Sequence, residues 1–187
     1  MSREVALVRG AQVPSPDLPP LPQFVWDAQL SARQRAEYAT WIDSVDYVIG
    51  SYERVRGVRV PLHERGEQMM RWGWYFDVSG VLIAAIAGQE SEYGRTGNAK
   101  ACRNAWGLMR WHPETGERSL DRFRSWEHGI YRAARALRRG YLAEGLVSIE
   151  EIGARWAPVS GEDARLNTHW VSGVTSIYRA MGGRRHL

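Results

Sequence analysis

The sequence contains one cysteine, Cys102, and no long apolar run. A single thiol excludes an internal disulfide, and no histidine with an orienting partner is placed to activate it, so we expect a structural cysteine. No stretch approaches the roughly 18 uninterrupted apolar residues of a membrane span, which predicts no such segment. The first residues, MSREVALVRGAQVPSPDLPP, lack the apolar segment of a secretory signal, which predicts a protein made in the cytoplasm.

Lysine is almost absent as well. Lys100 is the only one, so arginine carries nearly all of the positive charge behind the net charge of +4. Such a chain suits an acidic polymer, either a nucleic acid or an anionic cell wall. A GC-rich genome explains the bias toward arginine equally well, so the charge alone does not choose a partner.

Metal-binding patterns are also missing. The stretch HERGE at 63–67 departs from the zinc-protease pattern, because Glu67 stands where the second histidine is required. The other histidines show no ligand spacing; they are His112, His128, His169 and His186. We therefore expect no metal and no cofactor.

The composition is sufficient for one domain with an extension, since 44% of the 187 residues are hydrophobic. Residues 11–23 are rich in proline and should form an extended arm. A helix is expected after Ser31, because apolar residues recur at helical spacing as far as Tyr52 and form a packing face. Residues 1–60 are therefore treated as an N-terminal arm and helix, for attachment or packing.

Further elements follow from apolar spacing and from helix breakers. The predicted helices are 62–75, about 80–94, 125–140 beginning near Ser125, 148–155, and 166–181 ending at Gly182 and Gly183. Segments 106–111 and 118–123 flank a Pro-Glu-Thr-Gly turn, which is typical of a β-hairpin. This order of elements predicts an α+β domain that is mostly helical.

One helix ends in a Gln-Glu-Ser cluster, within LIAAIAGQESEYG at 82–94. Its N-cap is expected at Asp77 or Ser79, and its end at Gly94. The three- and four-residue steps of a helix place Glu90 on the same face as Leu82 and the other core residues.

Glu90 is therefore the first candidate for chemistry. A carboxyl group among apolar neighbours is disfavoured as an anion, so its pKa rises and it can hold a proton near neutral pH, as a general acid must. Glu92 lies about 200° further around the axis and should face away. The alternative is that Glu90 bends into solvent or pairs with an arginine.

Several stretches together resemble one family. AAIAGQESEYG, followed after a short loop by NAWGLM, is similar to the glutamate-serine helix and the following Gly-Leu-Met segment of the lysozyme-like superfamily. FRSWEHGIYRAARAL and GARWAPVSGEDARLNTHWVSGVTSIYRAM resemble later segments of its flagellar and autolysin-type glucosaminidases. The likeness covers about residues 66–182. It implies a lysozyme-like catalytic domain at 61–187, with a small β-hairpin lobe, that cleaves β-1,4 bonds between the amino sugars of peptidoglycan.

The resemblance also implies roles for individual residues. Glu90 matches the family's catalytic acid, which protonates the glycosidic oxygen, and Ser91 matches the serine that helps to place the acid or the substrate. The implied substrate-binding residues are Gln89, Ser91, Asn104, Trp106, Gly107, Leu108 and Trp156. Trp106 has two interpretations: it stacks on a sugar ring, or it is a core residue beneath the hairpin.

A second carboxylate is implied for a hydrolase of this family. Glu117 is the first candidate and Glu114 the second, both expected on the hairpin loop across from Glu90, and either can equally be a solvated turn residue. A soluble lytic transglycosylase of the same superfamily needs neither, because the sugar's own groups perform the displacement while Glu90 returns as base. Two positions depart from the family pattern: Arg110 stands where transglycosylases usually have glutamine, and Trp156 where a tyrosine is usual.

Three functions are compared. The first is a peptidoglycan glycosidase, N-acetylglucosaminidase-like, with a lytic transglycosylase or a muramidase as alternatives on the same fold. Its partners would be peptidoglycan glycan strands and, through residues 1–60, virion or other assembly proteins of a phage lysin or virion component. The second is an inactive wall-binding or structural module. The third is a nucleic-acid binder, but no recognition motif supports it, so no nucleic-acid partner is expected.

Overall fold

The computed structural model describes residues 29–159 and 167–184. Within them the chain forms helices α1 (Ala32–Arg56), α2 (Gly66–Phe76), α3 (Gly80–Ser91) and α4 (Ala99–Cys102), strands β1 (Met109–His112) and β2 (Glu117–Leu120), helix α5 (Trp126–Gly140), a 3₁₀ turn (Leu142–Glu144), and helices α6 (Ile149–Trp156) and α7 (Trp170–Ala180). The strands pair antiparallel, with Met109 opposite Leu120 and His112 opposite Glu117. The predicted α+β class, mostly helical, is confirmed, and the proline-rich arm at 11–23 lies outside the described residues.

Serine caps begin four of the helices. The side chains of Ser31, Ser79, Ser125 and Ser148 each accept a hydrogen bond from a backbone N–H in the first turn, which satisfies one of the donors that a helix start leaves free. The predicted starts of α1, α5 and α6 are thus confirmed. For α3 the cap is Ser79, and Asp77 instead ends α2 in the left-handed region, at φ 53°.

Three predicted boundaries were wrong. Helix α2 begins at Gly66 and not at 62, because Glu64 takes a φ of 52° and the Gly66 amide is held by Asp46 Oδ1 at 2.9 Å. Helix α3 ends at Ser91, because Glu92 and Tyr93 have positive φ values of 50° and 60°. Helix α7 begins at Trp170, after His169 as its N-cap, and not at 166 as predicted. Position 166 itself lies outside the described residues.

The hairpin is shorter than predicted. Its strands span four residues each, and the chain before β1 turns at Gly107, which has a φ of 67°. The Asn104 side-chain amide donates to the carbonyl oxygens of Leu108 at 2.8 Å and of Asp121 at 2.9 Å, which holds together the two ends of the hairpin. Position 106 therefore belongs to the core segment before the hairpin and not to its first strand.

Helix α3 is the centre of the molecule. Every residue from Gly80 to Ala87 is buried, so the helix is apolar all round and not amphipathic as the single stripe through Leu82 and Glu90 suggested. Helices α2 and α7 pack against it. Helix α1 also lies on this core, with Val45 and Ile49 fully buried.

The crossing of α2 and α3 depends on a glycine. A Cβ atom at Gly73 would lie 2.6 Å from the carbonyl oxygen of Val78 and 2.8 Å from the amide nitrogen of Gly80, both backbone atoms that cannot move aside cheaply. We expect Gly73→Ala to lower the free energy of unfolding by about 1–3 kcal/mol, the usual range for overpacking. Denaturant titration measures it.

Gly140→Ala is the matched control for this prediction. A Cβ atom there would meet nothing within 4 Å, and alanine is the better helix former. We expect this variant to be neutral or slightly stabilised. Equal unfolding midpoints for the two variants would show that the close crossing at Gly73 is not required.

No helix in the described ranges is long and apolar enough to cross a membrane.

Candidate functional site

Glu90 lies in the last turn of α3, where the buried helix reaches the surface. Its Oε1 atom accepts two hydrogen bonds, from the indole N–H of Trp156 at 2.8 Å and from that of Trp170 at 2.7 Å. Its Oε2 atom faces Gly107, where an added Cβ atom would lie 3.3 Å away. One carboxylate oxygen is therefore held by the protein, and the other faces a residue that has no side chain.

The surroundings of Glu90 favour the protonated form. Burial raises the pKa of Glu90, and the hydrogen bonds from Trp170 and Trp156 lower it in part, with a net rise above the usual glutamic acid range. Among the described residues Glu90 forms no ion pair with an arginine. Its side chain also does not bend into solvent, because Oε1 is held by the two indoles. This carboxyl group can carry a proton at a higher pH than an exposed glutamate.

Three aromatic rings line one side of Glu90. The rings of Trp156 and Trp170 are stacked, with centroids 6.2 Å apart and planes at 28°, and Tyr141 lies 5.4 Å from Trp156 at 35°. Burial raises the pKa of Tyr141, and the charge of Glu90 adds to this rise while Arg155 opposes it. We call Tyr141, Trp156 and Trp170 the aromatic wall.

Glycines bring the elements of the wall together. A Cβ atom at Gly153 in α6 would lie 2.6 Å from Val171 and 2.9 Å from the Trp170 ring, so a side chain at 153 would push α6 and α7 apart. A Cβ atom at Gly173 would lie only 1.9 Å from Gln89 Oε1. The Gln89 side chain thus packs across the backbone of α7.

Ser91 and Asn104 hold the segment that carries Gly107. The Ser91 hydroxyl donates to the Ala105 carbonyl at 2.8 Å and accepts from the Gly94 amide at 2.9 Å. The Asn104 Oδ1 atom accepts from the Leu108 amide at 3.1 Å. Both side chains are buried and their hydrogen bonds are made to the protein backbone, so they position the segment beside Glu90.

Trp106 is a core residue. It has no exposed surface, and its indole N–H donates to the carbonyl oxygen of Ile83 at 2.9 Å. The core interpretation is therefore confirmed, and the proposal that Trp106 stacks on a sugar ring was wrong. Leu108 is half-buried and lines a cavity beside the hairpin.

Glu114 and Glu117 are exposed residues of the hairpin. The Glu114 carboxylate lies 3.2 Å from His112 Nδ1, and its pKa is lowered by its own backbone amide and then by that histidine. Glu117 lies in β2, opposite His112. Within the described residues no hydrogen bond links either glutamate to Glu90, but the two carboxyl groups of a glycosidase stand about 5–9.5 Å apart and need no such bond, so both candidates stay predictions.

The sequence interpretation missed Trp170 and Tyr141. Trp170 lies 80 positions after Glu90, yet it forms the shorter of the two indole hydrogen bonds. No local spacing links residues so far apart, although an isolated tryptophan between polar residues, in THWVSG, was a weak signal.

A cavity of about 520 Å³ lies away from Glu90, between α1, α2 and the end of α7. Its lining includes Tyr38, Trp41 and Tyr178, and its charged pair Arg138 and Asp77 is already joined at 3.2 Å. Tyr38 in this lining has a pKa raised by burial and by Glu37, but a phenol with a raised pKa stays neutral near neutral pH, so we place the candidate site at the Glu90 carboxyl group. Within the described ranges no group of three or more His, Cys, Asp or Glu residues could hold a metal ion.

No protein-family model matches the chain, and no curated protein matches it. Any function is therefore a proposal that rests on the geometry around Glu90 and on the sequence resemblance.

We expect Trp156→Phe to raise the pKa of Glu90 further. The indole N–H stabilises the carboxylate, so its removal favours the protonated form, while Trp170 still holds the side chain. Carbon-13 NMR titration of the Glu90 carboxyl measures the change. Trp126→Phe, a half-buried tryptophan that packs on Gly94, is the control and should leave the pKa unchanged. A lower pKa in Trp156→Phe would show that the hydrogen bond is not formed.

Proposed function

We propose that the protein is a peptidoglycan glycosidase in which Glu90 is the general acid. The observation that carries the proposal is the Glu90 carboxyl group itself: its pKa is raised by burial, one oxygen is fixed by two indoles, and the other faces Gly107. A general acid must hold its proton near the working pH and point at the leaving oxygen. Glu90 Oε2 is the atom that would carry the proton.

The aromatic wall supports a sugar substrate. Aromatic rings offer broad, rigid, apolar faces with few rotatable bonds, and Tyr141 and Trp156 are half-buried and not sealed in the core. Trp156 occupies the position where the resembled family usually has tyrosine, and its indole N–H is a hydrogen-bond donor to Glu90. We propose that it takes the place of the tyrosine hydroxyl in orienting the acid.

A lytic transglycosylase is the second candidate, because it needs no carboxylate besides Glu90 and both Glu114 and Glu117 are exposed on the hairpin. A hydrolase needs another carboxylate as base or nucleophile, at a distance that decides the stereochemistry. Glu117 and Glu114 are exposed on the hairpin and not linked to Glu90 in the described residues. In a transglycosylase the sugar's own hydroxyl displaces the leaving group, and Glu90 alone provides acid and base. The glucosaminidase remains our first proposal, with Glu117 ahead of Glu114.

The site of action is proposed with the substrate. We propose the bacterial cell wall, for a phage lysin or a virion component attached through residues 1–60. Helix α1 lies within that range and packs on the core through Val45 and Ile49, so the attachment surface would be its exposed face and the preceding residues.

Mass spectrometry of purified peptidoglycan, digested with the wild type and with Glu90→Gln, tests the proposal. Reducing N-acetylglucosamine ends would identify a glucosaminidase, reducing N-acetylmuramic acid ends a muramidase, and anhydro-muramic ends a lytic transglycosylase. Each result counts only if Glu90→Gln does not give it. A well-folded wild type that releases no soluble fragments would overturn the enzyme and leave the wall-binding module.

A further inference from the structure

A second cavity, of about 290 Å³, lies beside the Glu90 cluster, between α5 and the hairpin. Three arginines at helical spacing line it, together with one acid and several apolar or aromatic residues. We call it the arginine pocket; its lining includes Arg132, Arg135, Arg139, Asp121, Leu108, Met109 and Tyr141.

The charges of this pocket do not balance. Arg132 Nη2 lies 3.2 Å from Asp121 Oδ2, and its guanidinium lies 5.7 Å from the Phe123 ring, so this arginine is already engaged. Arg135 is half-buried and Arg139 is exposed, and neither has an ion-pair partner among the described residues. The one acid of the lining is thus used, and two guanidinium groups remain for an anion.

The pocket continues into the proposed active site at two points. Tyr141 belongs to both, since it lines the pocket and lies 5.4 Å from the Trp156 ring of the aromatic wall. Leu108 lines the pocket and directly follows Gly107, the residue that faces Glu90 Oε2. A polymer with one unit at Glu90 would therefore place a neighbouring group over Arg135 and Arg139.

We propose that Arg135 and Arg139 bind carboxylates of the peptides that branch from a peptidoglycan strand lying at Glu90. This rests on the proposed function and adds the recognition of its charged branches. The planar guanidinium matches a carboxylate with two parallel hydrogen bonds. The apolar part of the lining, with Leu108 and the half-exposed Met109, suits the aliphatic portion of a peptide. A nucleic-acid strand would instead need a longer track of unpaired charge than two residues.

Sedimentation with insoluble peptidoglycan tests the pocket apart from catalysis. The starting protein is full-length Glu90→Gln, and the test variant adds Arg135→Gln and Arg139→Gln. Its matched control adds Arg33→Gln and Arg179→Gln instead, which removes the same charge from exposed positions outside the pocket. The wall is used as purified and after its carboxylates are converted to amides with carbodiimide and ammonia. Melting temperatures verify that all variants fold.

We expect the test variant to bind the purified wall roughly tenfold more weakly than Glu90→Gln, the fold-change for two partly exposed charge pairs. The control should bind as Glu90→Gln does. Amidation should weaken Glu90→Gln to the level of the test variant and change the test variant no further. Equal binding by the test and control variants would overturn the proposal. So would an amidation effect that is the same for Glu90→Gln and for the test variant.

Two further measurements separate the pocket from the proposed function. Fragment release by the wild type, and by a wild-type chain carrying only the two arginine substitutions, is followed on the same walls. If the wild type binds in a charge-dependent way but releases no fragments, the proposed enzyme activity is wrong and the pocket proposal stands. If fragment release is unchanged by amidation and by the substitutions, the enzyme activity stands and the pocket proposal is wrong. If the arginine substitutions weaken binding of a single-stranded oligonucleotide but not of the wall, a nucleic acid is the ligand and the proposal is wrong.

Discussion

Glu90→Gln is expected to lower the rate of peptidoglycan fragment release by about 10²–10⁴-fold, the contribution of a positioned general acid, while the chain keeps its fold. Glutamine has nearly the same shape, and its Oε1 atom can still accept the hydrogen bonds of Trp156 and Trp170. It has no acidic proton to give to a leaving oxygen. Fragment release and circular dichroism measure the two halves of this prediction.

The same substitution should stabilise the protein at neutral pH. Burial raises the pKa of Glu90 above its value in the unfolded chain, so the folded state holds this proton more tightly. That contribution to stability is fully present below the ordinary glutamic acid pKa and is lost as the pH rises through the raised one. The glutamine of the variant does not titrate, so its advantage over the wild type should appear at neutral pH and disappear in acid.

Glu92→Gln is the matched control, two residues further along the chain. The pKa of Glu92 is lowered, first by the hydrogen bond from the Tyr52 hydroxyl at 2.5 Å and then by Arg95. A carboxyl group with a lowered pKa stabilises the fold at pH values above the ordinary glutamic acid pKa. This stabilisation is lost as the pH falls through the lowered pKa. Glu92→Gln should therefore lose stability at neutral pH and retain activity. If Glu90→Gln cleaves as the wild type does, Glu90 is not the acid.

Much of the fold was predictable because its signals are local. Serine followed by apolar residues at helical spacing predicted the starts at Ser31, Ser125 and Ser148, since a cap and a periodic face both lie within a few residues. The order of elements gave the α+β class with one hairpin for the same reason. The end of α3 was missed because Glu92 and Tyr93 take left-handed φ values, a conformation for which the glycine at 94 is the better-suited residue.

Local spacing predicted the site only at its centre, and Trp156 was named through the family resemblance alone. Glu90 was found because a carboxyl group at the end of an apolar helix is unusual within its own neighbourhood. Its partners Trp156 and Trp170 lie 66 and 80 positions away, so the contacts depend on the packing of α6 against α7 at Gly153. No spacing rule reaches that far. The same limit applies to Tyr141, whose place between the aromatic wall and the arginine pocket exists only in the folded chain.

Trp106→Ala is expected to lower the free energy of unfolding by about 3–5 kcal/mol, the range for removing a fully buried tryptophan. Trp106 has no exposed surface and is hydrogen-bonded to the Ile83 carbonyl in α3, so the variant loses its packing and one buried hydrogen bond together. The total free energy of unfolding of a domain is only about 5–15 kcal/mol, so part of the variant's population should be unfolded at moderate temperature. Denaturant titration at a fixed pH measures the loss.

Two companion variants separate the core role of Trp106 from a role in sugar binding. Trp106→Phe keeps a large apolar ring and loses the indole N–H, so it should cost less than Trp106→Ala, with a hydrogen-bond contribution of about 1 kcal/mol. Trp111→Ala removes a tryptophan that is 55% exposed on the hairpin, and we expect little change in stability. If Trp106→Ala weakened wall binding while its unfolding midpoint stayed at the wild-type value, the ring would be a sugar platform and its placement in the core would be wrong. A large loss of stability, with wall binding per folded molecule unchanged, would show that Trp106 acts by supporting α3, the helix that presents Glu90.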